Sequence, residues 1–457
     1  KRIIKLIRKA DPVFVAKLAI YAREQMHLRS IPLVLLVELA KVHHGTSLVK
    51  NATQRVVQRA DEICELLAYY QLTNRRSGTK KLNRLSKQLQ KGLGMAFNKF
   101  DEYQFAKYNR GAEVKLKDAL FLIHPKADND AQQALFNKIA NDQLEVPYTW
   151  EVELSRLGQI AYDDESQKRE AFQAKWEELI FSNRLGYMAM MRNLRNILLA
   201  GVGAKAIRKV ANFLADAGQV SRSRQLPFRF LSAYRELEIL DLSFTSYLMD
   251  ALESAVATSV QNIKGFGLET RVLIAADVSG SMYHCISPKS KIRCFDIGLL
   301  LAMLLRNRSE NVKTGIFGST WKSVNLPKSG ILANTMELNR IEGSVGYATN
   351  GHLVIKELYE KHQVMDKVMI FSDLQLWDSG NGGNSLQQEW KRYKREVAPG
   401  ARLYLFDLLG YGQSPLNLET NDVYLIAGWS DKIFDVLEAV ENGSKALSKI
   451  KRIGLTY

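Results

Sequence analysis

Up to about residue 265, apolar positions recur every three or four residues, a pattern typical of amphipathic helices. Asp11 and Pro12 supply an N-cap and a first-turn proline before the first clear stripe. Ser30 begins a second helix, which Gly45 ends. Further helical patterns lie at 51–72, 79–93, 115–124, 130–141, 166–182, 186–200, 204–216, 227–239 and 242–263. About a dozen helices separated by short breaks predict an all-α, HEAT-like stack of helix pairs over residues 1–265.

Beyond residue 265 the pattern changes to short apolar runs that alternate with helical patterns. Apolar runs rich in β-branched and aromatic residues predict parallel strands with helices on both faces of the sheet. We therefore expect a second domain over residues 266–457, with a doubly wound α/β fold. Its predicted strands are 271–277, 312–318, 367–373, 402–408 and 422–428.

Oxygen-bearing side chains stand near the ends of these strands. Asp277, Ser279 and Ser281 follow the first strand, Asp373 ends a later one, and Thr349 precedes the helix before that strand. In doubly wound sheets, ligands bind beyond the carboxyl ends of the strands. Carboxylates and hydroxyls are hard donors that suit Mg²⁺ or another divalent cation with waters left on it. The five residues therefore predict a metal site.

The Asp277 loop has two other interpretations besides a metal site. Its serines are also typical of a polar turn that caps a helix. An aspartyl phosphatase would place its nucleophile at Asp277, but it normally has a general acid two positions on, where this chain has Ser279. The joint presence of Thr349 and Asp373 favours the metal.

Positive charge is concentrated at the start of the chain. Residues 1–100 hold 20 Lys and Arg against 6 Asp and Glu, whereas residues 101–265 hold 21 against 22 and residues 266–457 hold 23 against 20. A positive segment of this kind attracts polyanions, because each neutralised phosphate releases counterions. A solubilising surface is the other interpretation.

A basic run at helical spacing lies within this segment: Lys80, Lys81, Arg84 and Lys87. These side chains are candidates for phosphate contacts, which position a nucleic acid without reading its sequence. A solvated helix face is the alternative.

Other features of the sequence restrict the class of protein to which the chain can belong. No apolar run is long enough to predict a membrane span, and no signal peptide is recognisable. The odd set Cys64, Cys285 and Cys294 lacks metal-ligand spacing and suits a reducing, cytoplasmic setting. The sequence contains no GxxxxGK[ST] phosphate loop, no CxxC frame and no paired His–carboxylate motif, so we do not expect an enzyme.

The set Asp277, Ser279, Ser281, Thr349 and Asp373 resembles the metal-ion-dependent adhesion site (MIDAS) of von Willebrand factor A domains. The resemblance covers residues 266–457. Such domains bind ligands through the ion and are not usually enzymes.

Four helical segments resemble, in order, the TROVE module of Ro proteins. They are FVAKLAIYAREQMHLRSIPLVLLVELAK, KYNRGAEVKLKDALFLIHPK, YMAMMRNLRNIL and LPFRFLSAYREL. In that ribonucleoprotein family a helical-repeat ring is followed by an A domain. The resemblance therefore implies a Ro-type RNA-binding protein and spans nearly the whole chain.

The resemblance also implies partners. In Ro proteins the hole of the ring holds single-stranded 3′ ends of misfolded or structured noncoding RNA, and the basic outer surface holds a small Y-type RNA. These properties imply a role in RNA quality control, processing or decay. An exoribonuclease or another RNA-processing enzyme is a further expected partner.

The RNA-contacting residues of the Ro family match this sequence only in part. Lys107, Arg110 and His124 fall in the segment that resembles the RNA-contacting stretch of the family, which departs from the family pattern at 111–114. Arg192 and Asn193 belong to an MRNL motif that lines the hole or, alternatively, makes a buried helix contact. His124 is likewise either an RNA contact or a core histidine.

A protein-binding adaptor is the alternative function, in which Mg²⁺ captures an acidic ligand as in chelatase-associated A-domain proteins. The positive segment 1–100 favours RNA. We also predict a closed, monomeric ring, because closure would bring the basic first helices next to the final elements of the chain.

Overall fold

A computed structural model describes residues 2–73, 85–109, 113–261, 265–286, 290–374, 386–410, 422–428 and 445–455. Within these ranges the secondary structure up to residue 261 is helical, and a mixed α/β arrangement follows. The predicted fold class is thus confirmed. No described helix is long and apolar enough to cross a membrane.

The first part of the chain forms seventeen helices within the described ranges. They are α1 (Arg2–Ile7), α2 (Pro12–Glu24), α3 (Ser30–Val42), α4 (Leu48–Val56), α5 (Ala60–Thr73), α6 (Lys87–Phe97), α7 (Glu102–Tyr108), α8 (Leu116–Ile123), α9 (Asp130–Ala140), α10 (Trp150–Gly158), α11 (Glu165–Phe181), α12 (Tyr187–Arg192), α13 (Leu194–Leu199), α14 (Ala204–Ala215), α15 (Ala217–Ser223), α16 (Pro227–Glu238) and α17 (Thr245–Ser259). As predicted, α2 has Pro12 in its first turn, and the Asp11 carboxylate accepts the Phe14 N–H at 3.0 Å.

The helices outnumber the predicted dozen because α1, α7, α10 and α15 lie outside the predicted spans and because two predicted helices are broken. The span 51–72 divides into α4 and α5, where the buried Glu62 carboxylate accepts two backbone N–H groups at 2.8 and 3.2 Å. The span 186–200 divides at Asn193, whose side chain donates to the Ala189 carbonyl at 2.9 Å. Polar side chains that bond locally to the backbone in this way compete with helix continuation.

The second part of the chain forms a six-stranded sheet with flanking helices. Its elements are β1 (Val272–Asp277), α18 (Cys294–Arg308), β2 (Val312–Phe317), β3 (Trp321–Ser323), α19 (Ile331–Arg340), α20 (His352–Glu360), β4 (Lys367–Ser372), α21 (Leu386–Glu396), β5 (Arg402–Asp407), β6 (Val423–Ala427) and, after the sheet, α22 (Lys445–Lys451). The strand order is β3-β2-β1-β4-β5-β6, and every pair is parallel except β2 with β3. All five predicted strands are present. The antiparallel edge strand β3 was not predicted.

Packing divides the chain into two compact units. One comprises Lys1–Tyr148 with Ala439–Tyr457, and the other comprises Thr149–Glu438. The second unit thus contains both α10 to α17 and the sheet. Strands β1 and β4 are fully buried, which explains their continuous apolar sequences.

Both ends of the chain lie in the first unit. The Lys17 ammonium donates to the Lys451 carbonyl at 2.6 Å, and the Arg55 guanidinium donates to the Gly454 carbonyl at 2.7 Å. Asn51 donates to the Leu455 carbonyl at 3.4 Å. The last described residues are therefore held by α2 and α4.

Candidate metal centre and nucleic-acid interface

The loop after β1 brings a carboxylate and two hydroxyls together. Asp277 and Ser279 are fully buried. The backbone N–H of Ser279 donates to Asp277 Oδ1 at 2.8 Å, and the hydroxyls of Ser279 and Ser281 lie 3.3 Å apart. The spacing of two residues thus places the predicted donors in one cluster at the end of the strand.

A second carboxylate follows the neighbouring strand β4. Asp373 is fully buried, and the Ser372 hydroxyl donates to Asp277 Oδ2 at 2.5 Å. Burial raises the pKa of Asp277 to about 7; hydrogen bonds from Ser279 and Ser372 oppose this, and the charge of Asp373 adds to it. Two carboxylates are therefore held close together where water does not screen their repulsion.

Thr349 lies in a third loop beside the first two. Thr349 is 7% exposed. In the same loop, the Tyr347 carbonyl accepts a hydrogen bond from the Gly280 N–H at 2.9 Å. Gly318 at the end of β2 approaches the same loop so closely that a Cβ there would lie 1.9 Å from the Gly346 carbonyl oxygen. The loop that carries Thr349 is consequently fixed by backbone contacts to the ends of both β1 and β2.

This donor set fits a divalent cation. A cation would relieve the repulsion between the buried carboxylates and would suit the three hydroxyls as neutral oxygen donors. No group of three or more His, Cys, Asp and Glu side chains able to hold a metal is found in the described ranges. A metal here would therefore depend on the hydroxyls, as the sequence pattern predicts.

Only Lys87 of the predicted basic run lies within the described residues. Lys80, Lys81, Arg84 and Arg110 lie outside the described residues. Lys87 is the first residue of α6 and is exposed, with its ammonium 3.2 Å from the Gln90 side-chain oxygen.

Lys107 and His124 lie at helix ends in the first unit. The Lys107 ammonium lies 5.3 Å from the centre of the exposed Tyr103 ring, in the last turn of α7. His124 is exposed and follows α8 in a left-handed conformation with φ of 50°. The core interpretation of His124 is therefore wrong, and its ring is accessible to a ligand.

Arg192 and Asn193 differ sharply. Arg192 is exposed, whereas Asn193 is 1% exposed and uses its amide to donate to Ala189 and to accept from Asn196 at 3.0 Å. The proposed RNA contact of Asn193 is corrected accordingly: its side chain makes the buried helix contact that was the alternative.

The acidic residues of segment 1–100 are engaged locally. Glu62 pairs with Arg23 at 2.7 Å, Asp61 with Arg29 at 2.7 Å, and Glu24 bonds Arg55. The remaining acids bond to Lys41, to Arg29 or to the start of α2. Exposed basic residues outnumber these pairs and include Lys5, Arg8, Lys9, Lys87 and Lys91. Among the residues of this segment that the structure describes, the surplus of positive charge therefore lies on the surface.

Comparison with known families agrees with this arrangement. The family model described as the TROVE domain matches residues 1–175 and 142–248, and the model described as the Ro60 vWA domain matches residues 271–440. The chain belongs to the Ro/TROVE family.

Similar proteins support the fold. The crystal structure of the Deinococcus radiodurans RO (RSR) protein aligns with a TM-score of 0.64 and 18% identity, covering 97% of this chain and 93% of that one. Telomerase protein component 1 is 26% identical over 314 residues in Rattus norvegicus and over 304 in Mus musculus, in each case 52% of this chain. The chain spans only 11% of the length of these telomerase components.

The sequence did not indicate two residues that lie near the candidate metal site and the candidate RNA contacts. Ser372 donates to Asp277, and its position directly before Asp373 at a strand end was the available signal. The Arg59 guanidinium lies 4.5 Å above the Tyr108 ring, beside Lys107. No sequence pattern marks this second contact, because 49 residues of chain separate its partners.

Proposed function

We propose that the protein holds single-stranded 3′ ends of misfolded or structured noncoding RNA, and a small Y-type RNA on its outer surface, in RNA quality control, processing or decay. The observation that carries this proposal is the TROVE match over residues 1–248, which includes the positive segment 1–100. A cytoplasmic location, the absence of enzymatic activity and an exoribonuclease as partner belong to the same proposal.

The charge of segment 1–100 supports a phosphate-binding role. Its acids are already bonded within the segment, so a phosphate would meet exposed ammonium and guanidinium groups with few competing carboxylates. Counterion release then supplies affinity that does not depend on RNA sequence. Lys87, Lys107, His124 and Arg192 are described residues that remain candidates for direct contact.

We also propose that the helices form a closed ring. Such a ring requires the end of the chain to return to its start. The bonds of Lys17, Asn51 and Arg55 to residues 451–455 support this requirement.

We further propose that Mg²⁺ or another divalent cation is held by Asp277, Ser279, Ser281, Thr349 and Asp373. When bound, it would offer an open coordination position to an oxygen ligand.

Affinity for RNA should fall steeply with salt. We expect the logarithm of the binding constant to fall by about 0.7 per contacted phosphate for each tenfold rise in salt. The triple variant Lys80→Glu, Lys81→Glu, Arg84→Glu should bind unrelated RNA sequences more weakly than wild type, and with a smaller salt slope. Fluorescence anisotropy over a series of potassium chloride concentrations measures both quantities.

The matched control makes the same charge change in the α/β region, at Lys361, Lys391 and Arg395. Its affinity and salt slope should equal those of the wild type, because these residues lie outside the positive segment. A wild-type isotherm that ignores salt, or equal losses in the two triple variants, would contradict the proposed role of segment 1–100.

A further inference from the structure

A cleft of about 660 Å³ lies between helices of the second unit and belongs to neither candidate site. Its lining includes Leu154 of α10, Arg169, Phe172 and Trp176 of α11, and Asn196 and Leu199 of α13. Pockets that bury small organic ligands have volumes of roughly 300–1,000 Å³ and mostly apolar walls with a few polar groups. The size of this cleft falls in that range. We call it the α11–α13 cleft.

Helix α11 gives the cleft a cationic rim and an aromatic floor. Arg169, Phe172 and Trp176 stand at positions i, i+3 and i+7, so they share one face of the helix. Trp176 is 2% exposed and stacks on Trp150 with ring centroids 6.2 Å apart, which fixes the floor. Phe172 is half-buried and presents part of its ring to the cleft.

The α13 side of the cleft carries an accessible apolar side chain. Leu199 is 48% exposed although it lines a concave surface. A large apolar side chain at this exposure leaves area that a bound ligand could cover. The cleft therefore offers an apolar slot whose lining includes Phe172 and Leu199.

Charge at the rim is not balanced. Lys168 pairs with Glu165 at 3.1 Å, but Arg169 makes no ion pair among the residues that the structure describes. The Arg169 guanidinium lies beside the turn after α13, where a Cβ on Gly201 would be 3.6 Å from Arg169 Nη2, an ordinary van der Waals contact. A guanidinium of this kind is well suited to bind a phosphate through two hydrogen bonds.

The cleft continues from the candidate RNA residue Arg192. Arg192, Asn196 and Leu199 are exposed at positions i, i+4 and i+7. Backbone hydrogen bonds from Asn193 to Ala189 and from Ile197 to Asn193 continue the helical path across the break. An RNA strand bound at Arg192 would thus lie about 10 Å along the helix from Leu199.

We propose that the α11–α13 cleft accepts one unpaired RNA base between Phe172 and Leu199, with an adjoining phosphate at Arg169. This proposal rests on the RNA-binding function proposed above. A nucleotide combines the two chemistries that the cleft offers, because its base has an apolar planar face and its phosphate is an anion. An apolar peptide side chain would fill the slot but would leave Arg169 without an anion.

The test uses the full-length protein and a hairpin RNA with a single-stranded 3′ tail. Each tail position is replaced in turn by an abasic nucleotide, and affinity is measured for the wild type and for Leu199→Trp, which fills the slot. We expect one tail position at which base removal weakens wild-type binding about tenfold. The same removal should leave binding by the variant unchanged, because its slot is already occupied. Arg169→Gln should weaken binding of the intact RNA.

Two matched controls accompany these variants. Ile239→Trp adds a tryptophan at a 70%-exposed position outside the cleft, and Arg195→Gln removes a guanidinium that already pairs with Glu236 at 3.4 Å. Both should respond to abasic positions as the wild type does, and thermal unfolding should be the same for all variants.

The outcomes separate the two proposals. If the wild type binds the hairpin but no abasic position distinguishes it from Leu199→Trp, the cleft does not hold a base and the RNA-binding function stands. A peptide-binding cleft would give this result. If the wild type does not bind the hairpin at all, both proposals are overturned.

Discussion

Replacing Asp296 with alanine is expected to reduce the free energy of unfolding by about 3–5 kcal/mol, because it removes one partner of a buried ion pair. Asp296 is fully buried and accepts both terminal nitrogens of Arg235 at 2.5 Å. It also accepts Asn339 Nδ2 at 2.9 Å and the Arg293 N–H at 2.7 Å. This single carboxylate therefore joins α16 to α18 and α19 within the second unit.

The cost follows from what the substitution leaves behind. The Arg235 side chain is 19% exposed, so its charge would remain largely out of water with no carboxylate beside it. The start of α18 would also lose the acceptor for the Arg293 N–H. Chemical denaturation followed by circular dichroism measures the change.

Lys291→Gln is the matched control for the Asp296 variant. It removes a 77%-exposed ammonium that pairs with Glu236 of the same helix α16. Exposed pairs contribute about 0–1 kcal/mol, so this variant should unfold close to the wild-type midpoint. A loss below about 1 kcal/mol in Asp296→Ala would show that the buried pair is not what joins these helices.

Replacing Asp277 with asparagine is expected to weaken Mg²⁺ binding by more than about 100-fold, beyond the effect typical of outer-shell changes. The substitution removes one of the two buried carboxylates and keeps the volume of the side chain. Its amide oxygen can still accept the Ser279 N–H, so the loop keeps its main backbone contact. Isothermal titration calorimetry with Mg²⁺ measures the loss.

The fold should survive this change. Burial already disfavours the charged form of Asp277, since its pKa is raised to about 7, so a neutral side chain is tolerated there. Asp407→Asn is the control, because Asp407 is also fully buried at the end of a strand and is not one of the proposed donors. Equal Mg²⁺ affinity in Asp277→Asn and the wild type would overturn the proposed site.

Sequence patterns predicted elements whose cause is local. Strands β1 and β4 are buried on both faces, so their burial appears directly as unbroken apolar runs. The edge strand β3 has only three residues, none of them buried, and carries no such pattern. The break at Asn193 depends on one side chain within an otherwise periodic helix, which periodicity alone does not reveal.

Side-chain clusters likewise divide into those with a local cause in the sequence and those that depend on distant residues. Asp277, Ser279 and Ser281 were predictable because a strand end and a two-residue spacing place them together. The pair of Arg235 and Asp296 was not, because 61 residues separate its members and each looks like an ordinary surface charge in sequence. Contacts of this range require the fold to be known first.

Competition between two RNAs of equal charge tests the central claim most directly. One is a blunt duplex, and the other is a duplex of the same total phosphate number with a single-stranded 3′ overhang. The hole of the proposed ring would admit a single strand and exclude a duplex, so the overhang RNA should displace a labelled single-stranded probe much better than the blunt RNA. Equal displacement by the two RNAs would contradict the account, because it would mean that charge alone determines binding.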